Sequence, residues 1–403
     1  MLLDGAYPPD IRVQKEASSL VKAGFRVSVY AARKLNEVEE EYIEGVRVLR
    51  MNTPTVSDQF QKKGWHDIMG ALNFFYGNIY REVLRIQDEE YSAVHVHDLP
   101  LAKTGLALSK KLNCPCVLDL HENYADGLEA WTKWQQNPLK KVKNALLFNQ
   151  LRWSKYERRM VNLVDYVITS VDEMQSRIIA EYSVPTKKTI LISNTEYRDF
   201  HKDQIVPEGL IEQFDGYFNI CYIGGIGPHR GIDTAIKSMK YVLRDIPNAR
   251  LNIIGGGSAG TMSVLRNIAR ELYLEHAVIF LGQVPFDHVS AYMTHAHINI
   301  IPHNSNRQTN AVIPHKLFQS MLSNKPTLVS SCAPLKRTIE SCNGGWVFEA
   351  DNPTSCAQKI IEISSANSDE KARVTRARDF ASGPLSWEAT AEVLSSFYKE
   401  ITE

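Results

Sequence analysis

Short apolar runs alternate with helical patterns along the whole chain, an order that is typical of an α/β protein with mostly parallel sheets. In the first half, the runs predicted as strands are Arg26–Ala31, Val46–Arg50, Ala93–His97, Pro115–His121, Tyr166–Ser170 and Thr189–Ser193. In the second half, they are Phe218–Gly224, Arg250–Gly255, Ala277–Gly282, His297–Pro302, Pro326–Ser330 and Gly345–Phe348. Between the strands, apolar residues recur at helical spacing, as in the segment Ile11–Ala23 that Gly24 ends.

A polar stretch containing Pro207 and Gly209 separates two similar halves of the pattern. The chain has 403 residues, which is too long for one hydrophobic core of ordinary size. We predict an N-terminal Rossmann-like domain over residues 1–200 and a C-terminal Rossmann-like domain over residues 201–383. Residues 384–403 are predicted to form a final helix that packs back toward the first domain. A short run, Met1–Leu3, is predicted as the first strand.

The composition indicates a soluble globular enzyme. Hydrophobic residues make up 44% and charged residues 23% of the chain, and 46 basic residues balance 46 acidic ones. This balance gives no reason to expect a nucleic-acid partner. No apolar run reaches the roughly 18 residues of a membrane-spanning helix, and the first residues lack the pattern of a signal peptide. We therefore expect a cytoplasmic protein.

The sequence does not favour a metal. The six cysteines show no CxxC pairing, which is typical of reduced thiols in a cytosolic protein. The chain has no DxD pair, and no clustered set of metal ligands can be recognised in it. We expect neither a catalytic metal nor another cofactor.

A glycine-rich loop follows the first strand of the second half and leads into a helix. The candidate ligand-binding residues in it are Gly224, Gly225, Gly227 and Arg230. Such glycines allow backbone N–H groups to approach a phosphate at a helix N-terminus, and an arginine can bind two of its oxygens. The alternative is a tight turn with a solvated arginine.

A second glycine loop, with Gly255 and Gly257, follows the next strand and matches the pattern GxGxxG. A nicotinamide cofactor would require an acidic residue near the end of the following strand, and that strand ends in Leu281-Gly282. The loop also follows the second strand of its domain rather than the first. It therefore predicts a close approach of backbone to some other ligand.

A helix predicted after Pro314 places Lys316, Gln319 and Ser323 on one polar face. A polar stripe beside a helix N-terminus could bind a diphosphate and a ribose. An exposed polar face without a ligand is the alternative.

Two predicted strands of the first half end in a histidine followed by an acid, His97-Asp98 and His121-Glu122. The carboxyl ends of parallel strands are where such sheets place groups that contact ligands. A histidine there could orient a sugar hydroxyl or transfer a proton near neutral pH, or it could be purely structural.

Taken together and in order, these motifs resemble the retaining glycosyltransferases of family 4, in the subgroup with a Lys-Leu-Phe-Glu/Gln motif. The resemblance covers essentially the whole chain. The segments that carry it are Tyr7–Ala17, Asp119–Tyr124, Gly224–Gly231, Gly255–Gly257 and Pro314–Met321. It implies the GT-B fold, in which two Rossmann-like domains face each other across a cleft.

The resemblance also implies roles for individual residues. His121 would lie at the reactive end of the donor sugar, with the acids Asp98 and Glu122 nearby as further catalytic candidates. The implied donor-binding residues are Gly224, Gly225, Gly227, Arg230, Gly255, Gly257, Lys316, Leu317 and Gln319. The residues expected on the acceptor side are Asp10, Arg12, His97 and Tyr124.

One departure from the family pattern concerns the donor. Many members carry two glutamates separated by seven residues in this late segment, and the matching positions here are Ala311 and Gln319. An amide can still bond ribose hydroxyls, whereas alanine cannot.

The implied function is the transfer of a hexose-type sugar from a nucleotide-sugar donor to a hydroxyl of a saccharide or lipid-linked acceptor, with retention of configuration. The expected setting is the synthesis of cell-surface polysaccharide or glycolipid. Two alternatives stay open: a sugar-nucleotide 2-epimerase with the same fold, and a nucleotide-sugar-binding protein that has lost activity. Product analysis with donor alone separates the first alternative, and binding without turnover indicates the second.

Residues 131–160 form a basic segment interleaved with aromatic residues such as Trp131 and Trp134. One interpretation is reversible docking on the anionic cytoplasmic face of a membrane, which would bring a lipid-linked acceptor to the enzyme. The other is an ordinary pair of helices with solvated lysines.

Overall fold

The computed structural model describes residues 1–34, 37–51, 72–134, 137, 141, 144–145, 147–365 and 368–403. It divides into two compact units. The first unit contains residues 1–126, 142–193 and 390–403, and the second contains residues 127–141 and 194–389. The prediction placed the domain boundary after residue 200, and the two units divide after residue 193, with the segment 127–141 grouped with the second.

The first unit contains two groups of paired strands. Its strands are β1 (Ser28–Ala32), β2 (Glu40–Ile43), β3 (Val46–Met51), β4 (Val94–His97), β5 (Cys116–Leu120), β6 (Tyr166–Thr169) and β7 (Thr189–Leu191). Strands pair in the orders β1-β3-β2 and β4-β5-β6-β7. Leu2 forms parallel bridges to Tyr30 and Val96 and so joins the two groups. The predicted first strand is thus reduced to a single bridging residue.

Strand β2 was not predicted from the sequence. It pairs antiparallel with β3, and its residues alternate between exposed and half-buried. An edge strand of this kind lacks the continuous apolar run of strands β4 and β5, whose residues are all buried. The other strand pairs of the unit are parallel.

Helices alternate with these strands in the described part of the first 193 residues. They are α1 (Ile11–Lys22), α2 (Gly77–Ile86), α3 (Ala102–Leu112), α4 (Tyr124–Thr132), α5 (Gln150–Leu163) and α6 (Asp172–Tyr182). Helix α1 begins after Asp10, whose carboxylate accepts a hydrogen bond from the N–H of Val13. Gly24 follows its C-terminus with a φ of 95°, as the sequence predicted.

The second unit contains a parallel sheet with the strand order β10-β9-β8-β11-β12-β13. These strands are β8 (Phe218–Ile223), β9 (Ala249–Ile254), β10 (Val278–Gly282), β11 (Ile298–Ile301), β12 (Thr327–Ser330) and β13 (Trp346–Phe348). This order, which reverses beside the first strand, defines a Rossmann-like domain. The predicted strand positions agree with the structure to within about two residues.

The helices after residue 193 are α7 (Leu210–Phe214), α8 (Ile232–Asp245), α9 (Ala259–Glu271), α10 (Val289–His295), α11 (His315–Leu322), α12 (Ala333–Cys342), α13 (Pro353–Ser364), α14 (Ser368–Ser382) and α15 (Trp387–Thr402). The later part of α15 belongs to the first unit, where Tyr398 packs against His95 and Phe397 packs against Tyr166. Within the described part of the chain, no helix is both long and apolar enough to span a bilayer.

The two sheets confirm the predicted α/β class with two Rossmann-like domains. In each sheet, neighbouring parallel strands bring predicted motifs to the same edge. Strands β4 and β5 bring together the His97-Asp98 and His121-Glu122 pairs, with His97 in register with Asp119. Strands β8 and β9 bring together the two glycine loops.

Candidate active site

The carboxyl ends of β4 and β5 carry a group of titratable residues that we call the strand-end cluster. Its members are His97, Asp98, Asp119 and His121, together with Arg12 and Glu16 from α1. Sequence positions that are more than 100 residues apart meet here, because α1 packs beside the ends of both strands.

Asp119 is the centre of the cluster. The Arg12 guanidinium donates to both of its carboxylate oxygens, with Nε to Oδ2 at 2.9 Å and Nη2 to Oδ1 at 2.8 Å. Arg12 also donates to the backbone oxygen of Ile192 at 3.0 Å. Burial opposes the ionisation of Asp119, but Arg12 and His121 outweigh it and hold its pKa well below the ordinary range. This paired geometry fixes Asp119 as a buried carboxylate.

His121 lies between two carboxylates. Its Nε2 is 2.9 Å from Oδ2 of Asp119, and its Nδ1 is 3.3 Å from Oδ2 of Asp98. Burial disfavours the charged ring, but the carboxylates of Asp98 and Asp119 outweigh burial and raise the pKa of His121 to about 10. The ring is therefore an imidazolium near neutral pH.

The side chains of His97 and Glu16 are buried, and burial favours the neutral form of both. Burial, together with neighbouring His95, lowers the pKa of His97 well below its ordinary value. Nδ1 of His97 lies 3.0 Å from Nε2 of His121, so a neutral His97 can accept the proton of that nitrogen in a hydrogen bond. Burial also raises the pKa of Glu16 to about 8, although Arg12 opposes the change. His95 contacts the Tyr398 hydroxyl at 2.6 Å through its Nδ1.

Two residues predicted for the acceptor side lie within the cluster, and their predicted role stays a prediction. The side chains of Arg12 and His97 are buried within the cluster, because the first compensates Asp119 and the second packs against His121. Asp10 caps α1, and Tyr124 packs against Trp153 with ring centroids 4.6 Å apart. Glu122 is half-buried beside His121.

Four side chains of the first unit bring potential metal-ligand atoms together, which the sequence did not indicate. Glu16, His95, His97 and Asp119 each place one potential ligand atom within 4.8 Å of the others. The positive charge at this point is supplied by Arg12, which contacts both carboxylates at 3.0 Å or less. Arg12 thus places a positive charge beside these four residues. That the enzyme works without a metal stays a prediction.

In the second unit, backbone hydrogen bonds join the two glycine loops. The N–H of Gly224 donates to Ile254, and the N–H of Ile226 donates to Gly256. Gly255 has a φ of 145°, and a Cβ there would lie 2.0 Å from the backbone oxygen of Gly224. Close packing of the two loops thus requires glycine at position 255.

The glycines do not all serve the same purpose. A Cβ at Gly257 would lie 2.6 Å from the backbone oxygen of Ile226, so this glycine also serves loop packing. A Cβ at Gly225 would meet no atom within 4 Å, and a Cβ at Gly227 would meet the ring of His229. Gly224 faces Lys316, since a Cβ there would lie 3.0 Å from its Nζ. The loop therefore leaves open space beside Gly225, where a ligand could lie, and Gly224 contacts the amino group of Lys316.

Lys316 and Arg230 form, with the Gly224 backbone, a group that we call the cationic cradle. The Nζ of Lys316 lies over the Tyr222 ring, 3.9 Å from its centroid, and it is buried without a hydrogen-bond partner. Burial, and then the charge of Arg230, lower the pKa of Lys316 well below its ordinary value. Neither cation forms an ion pair with any carboxylate in the described ranges of the chain. A buried cation without a counterion is an unusual feature that a bound anion would relieve.

Two histidines, His229 and His303, lie beside the cradle, and neither carries a charge that would balance Lys316 and Arg230. Arg230 Nη1 lies 3.3 Å from Nε2 of His303. Burial, and then Arg230, lower the pKa of His303 well below its ordinary value and the pKa of His229 to about 3. Both imidazoles are therefore neutral, and the local field of the cradle is positive.

Two predicted donor-binding residues of helix α11 have buried side chains. The side chain of Leu317 is fully buried and belongs to the core, so any contact of this residue with a donor would be made by its backbone. The amide of Gln319 is also buried, and its Nε2 donates to Oε2 of Glu196 at 2.8 Å. A carboxylate from a distant segment thus lies next to the position where many family members carry a glutamate. Ala311 is buried as well.

The basic segment 131–160 is partly outside the described residues, which include neither Lys140 nor Lys143. Of its described members, Trp153 is buried, and Trp134 packs against the core of the second unit. Arg152 donates to the backbone oxygens of Leu147 and Leu72. These side chains have structural contacts, as the interpretation of an ordinary helix pair requires.

Several residues of these clusters were not identified as site residues from the sequence: Glu16, Asp119, Glu196, His229 and His303. A usable signal existed for Glu16, because Arg12 and Glu16 lie four residues apart and can therefore pair on one helix face. The others become part of these clusters through contacts with distant segments of the chain.

Family models match both halves of the chain. Residues 9–195 match the model described as "Glycosyl transferase 4-like domain", and residues 211–380 match "Glycosyl transferases group 1". The chain is also 27% identical over 414 residues to an uncharacterized glycosyltransferase of Methanocaldococcus jannaschii, covering 98% of this chain and 96% of that protein.

Solved structures show the same fold. A sucrose-phosphate synthase from Thermosynechococcus elongatus superimposes with a TM-score of 0.78 at 16% identity, covering 98% of this chain and 94% of that one. Anabaena HepE in complex with UDP-glucose superimposes with a TM-score of 0.70 at 14% identity, covering 99% and 98%. With the two family models, these findings establish the class: the chain belongs to the glycosyltransferases of the GT-B type.

Proposed function

We propose that this glycosyltransferase uses a nucleotide-sugar donor and transfers a hexose-type sugar to a hydroxyl of a saccharide or lipid-linked acceptor, with retention. The observation that carries the proposal is the cationic cradle, where the buried Nζ of Lys316 has no partner and Arg230 has no carboxylate among the described residues. In our proposal, the diphosphate of the donor supplies the negative charge that Lys316 and Arg230 lack among the described residues. The UDP-glucose complex of HepE, a protein of the same fold, supports this choice.

The chemistry of the cradle follows from its charges. When the bond between sugar and diphosphate breaks, negative charge accumulates on the leaving diphosphate. Arg230 can bind two of its oxygens, and Lys316 becomes a better donor as the anion raises its pKa. The open backbone at Gly225 leaves room for the phosphates. Stabilising this charge requires no metal or other cofactor in our proposal.

We place the transferring sugar at the strand-end cluster, where His121 and Asp98 are the least buried charged pair. In our proposal, the acceptor hydroxyl attacks on the face from which the diphosphate leaves, so configuration is retained without a covalent intermediate. Synthesis of a cell-surface polysaccharide or glycolipid is the setting that we propose for this transfer.

The first experiment is a thermal-shift panel with UDP-, GDP- and ADP-sugars. A ligand at 100 times its dissociation constant should add about 2.7 kcal/mol of stability. We expect one base to stabilise the protein and the matching sugar to be transferred when acceptors are supplied. An epimerised donor formed without acceptor would instead identify an epimerase. Binding without turnover on any acceptor would identify an inactive binding protein, and no stabilisation by any member of the panel would contradict the proposal.

A further inference from the structure

Asp98 has a backbone conformation that aspartate rarely adopts. It follows β4 with a φ of 65° and a ψ of 158°, in a region that is essentially reserved for glycine. Strained residues of this kind persist only where surrounding contacts impose them, and they concentrate at functional sites. The conformation is therefore a reason to look for a function at this position.

Three contacts with the end of β5 impose this conformation. The N–H of Asp98 donates to the backbone oxygen of Asp119 at 2.9 Å. Oδ1 of Asp98 accepts a hydrogen bond from the N–H of His121 at 3.1 Å, and Oδ2 lies 3.3 Å from Nδ1 of the same residue. The strand end thus turns the carboxylate of Asp98 toward the imidazole of His121.

The cations of the cluster are divided unequally between the two aspartates. Arg12 compensates Asp119 through two hydrogen bonds. Among the described residues, the basic group within ion-pair distance of Asp98 is His121. A neutral His121 would leave Asp98 as an uncompensated carboxylate, so the pair is stable as imidazolium and carboxylate.

Solvent exposure increases through the cluster from Asp119 to His121 to Asp98. Asp119 is 0% exposed, His121 12% and Asp98 34%. Both ring nitrogens of His121 face carboxylates, at 2.9 Å and 3.3 Å. The open group that a substrate can reach is therefore the carboxylate of Asp98 rather than a ring nitrogen.

We propose that Asp98 is the residue of this cluster that contacts the transferring sugar, and that His121 is a positioning residue that keeps Asp98 ionised and oriented. This inference rests on the proposed function. A fixed carboxylate beside the sugar stabilises the positive charge that develops on the ring as the diphosphate leaves. It also explains why the chain keeps a strained aspartate where glycine would be relaxed.

Titratable groups from three elements surround the pair: Asp10 and Glu16 from the region of α1, His97 from β4, and Asp119 and Glu122 from the end of β5. Burial raises the pKa of Asp98 to about 6; the charge of His121 acts in the opposite direction, and the carboxylates of Glu122, Asp119 and Asp10 act in the same direction. The ion pair therefore exists between the pKa of Asp98, about 6, and that of His121, about 10. The turnover rate should fall on the acid side of this window as Asp98 is protonated.

The strain is tested without substrate by comparing Asp98→Gly with Asp98→Ala. Both variants lose the carboxylate, but only glycine relaxes the backbone. We expect Asp98→Gly to unfold at least about 2–4 °C higher than Asp98→Ala. The matched control is Ser92, an exposed residue before the same strand whose φ is not positive. There the glycine variant should be the less stable one. Equal or lower stability of Asp98→Gly would overturn the strain argument.

The division of roles is tested by the ionisation of Asp98. In a carboxyl carbon NMR titration assigned with Asp98→Asn, we expect a midpoint near 6 that moves upward in His121→Gln, because the imidazolium no longer favours the carboxylate. The acid limb of kcat should move in the same direction, and Asp98→Asn should lower kcat at least 100-fold while UDP binding stays within about threefold. An unmoved midpoint, or activity of Asp98→Asn within tenfold of the wild type, would overturn the assignment.

The failure of this inference is distinguishable from a failure of the proposed function. If the wild-type protein neither binds nor uses any nucleotide sugar, the proposed function fails, while the stability comparison and the NMR titration still decide on Asp98. If nucleotide binding and turnover are found and Asp98→Asn remains active, only the role of Asp98 is wrong.

Discussion

The strand-end cluster and the cationic cradle balance their charges in different ways. In the cluster, the carboxylates of Asp119 and Asp98 face Arg12 and His121 at 2.8 to 3.3 Å. In the cradle, Lys316 and Arg230 face neutral histidines, and no carboxylate in the described ranges pairs with them. A site that neutralises itself is rigid before any substrate arrives, whereas a site with unpaired charge is completed by its ligand. Substitutions in the two sites should therefore change stability in opposite directions.

The largest expected effect is that of Asp119→Asn, which removes the central carboxylate of the strand-end cluster. The substitution leaves Arg12 buried without its carboxylate partner, and loss of one member of a buried pair costs about 3–5 kcal/mol. Chemical denaturation near neutral pH should show a loss of this size.

The effect of Asp119→Asn should also depend on pH. The pKa of Asp119 is held well below its unfolded value, so its contribution to stability is present above about pH 4 and is lost as the pH falls through the folded pKa. Wild type and variant should therefore converge in acid. Asp88→Asn, at an exposed pair with Arg47, is the control and should change little. Near-wild-type stability of Asp119→Asn at neutral pH would show that the cluster does not depend on this pair.

The next effect concerns the ligand that completes the cradle. Arg230→Ala should weaken UDP or GDP binding by about 1.5–3 kcal/mol, which is about tenfold to 150-fold in the dissociation constant. Isothermal calorimetry with the nucleotide selected by the thermal-shift panel measures this change.

Lys240→Ala is a matched control for Arg230→Ala, because it removes one positive charge from an exposed position on helix α8 of the same unit. It should leave nucleotide affinity nearly unchanged. Unaltered binding by Arg230→Ala would remove Arg230 from the site.

A smaller effect with the opposite sign is expected for Lys316→Met. The pKa of Lys316 is lowered in the folded protein, so the unfolded chain binds the proton more tightly and the lysine destabilises the fold below its unfolded pKa. Methionine keeps the apolar stem and removes this cost, so the free protein should gain on the order of 1 kcal/mol near neutral pH.

The gain in Lys316→Met should shrink as the pH approaches the ordinary lysine pKa, about 10.4, where folded and unfolded chains no longer differ in protonation. Nucleotide binding should be weakened at the same time. A variant that loses stability at neutral pH would contradict the picture of an uncompensated cation and would indicate a structural lysine.

The smallest effect is expected from the basic segment 131–160, because a single basic residue at a membrane surface contributes little. If this segment docks on membranes, wild-type protein should sediment with anionic but not neutral vesicles at low salt, with about 1 kcal/mol from each well-placed basic residue. Binding should be lost at high salt and in a Lys140/Lys141/Lys143 triple alanine variant. No sedimentation at low salt would leave the segment as an ordinary helix pair.

The sequence determined the α/β class, the positions of the parallel strands and the motifs that follow them, because these depend on local periodicity and on glycine and proline. It also located both histidine-acid pairs and both glycine loops, since the carboxyl ends of adjacent parallel strands meet at one edge. It did not predict β2, whose residues alternate between exposed and half-buried at the sheet edge. Only the tertiary structure decided that Arg12 pairs with Asp119, that Gln319 bonds Glu196, and that Asp98 is strained. Those facts depend on contacts between segments up to 123 residues apart, and the charge state of a buried group is set by such neighbours rather than by its own position in the chain.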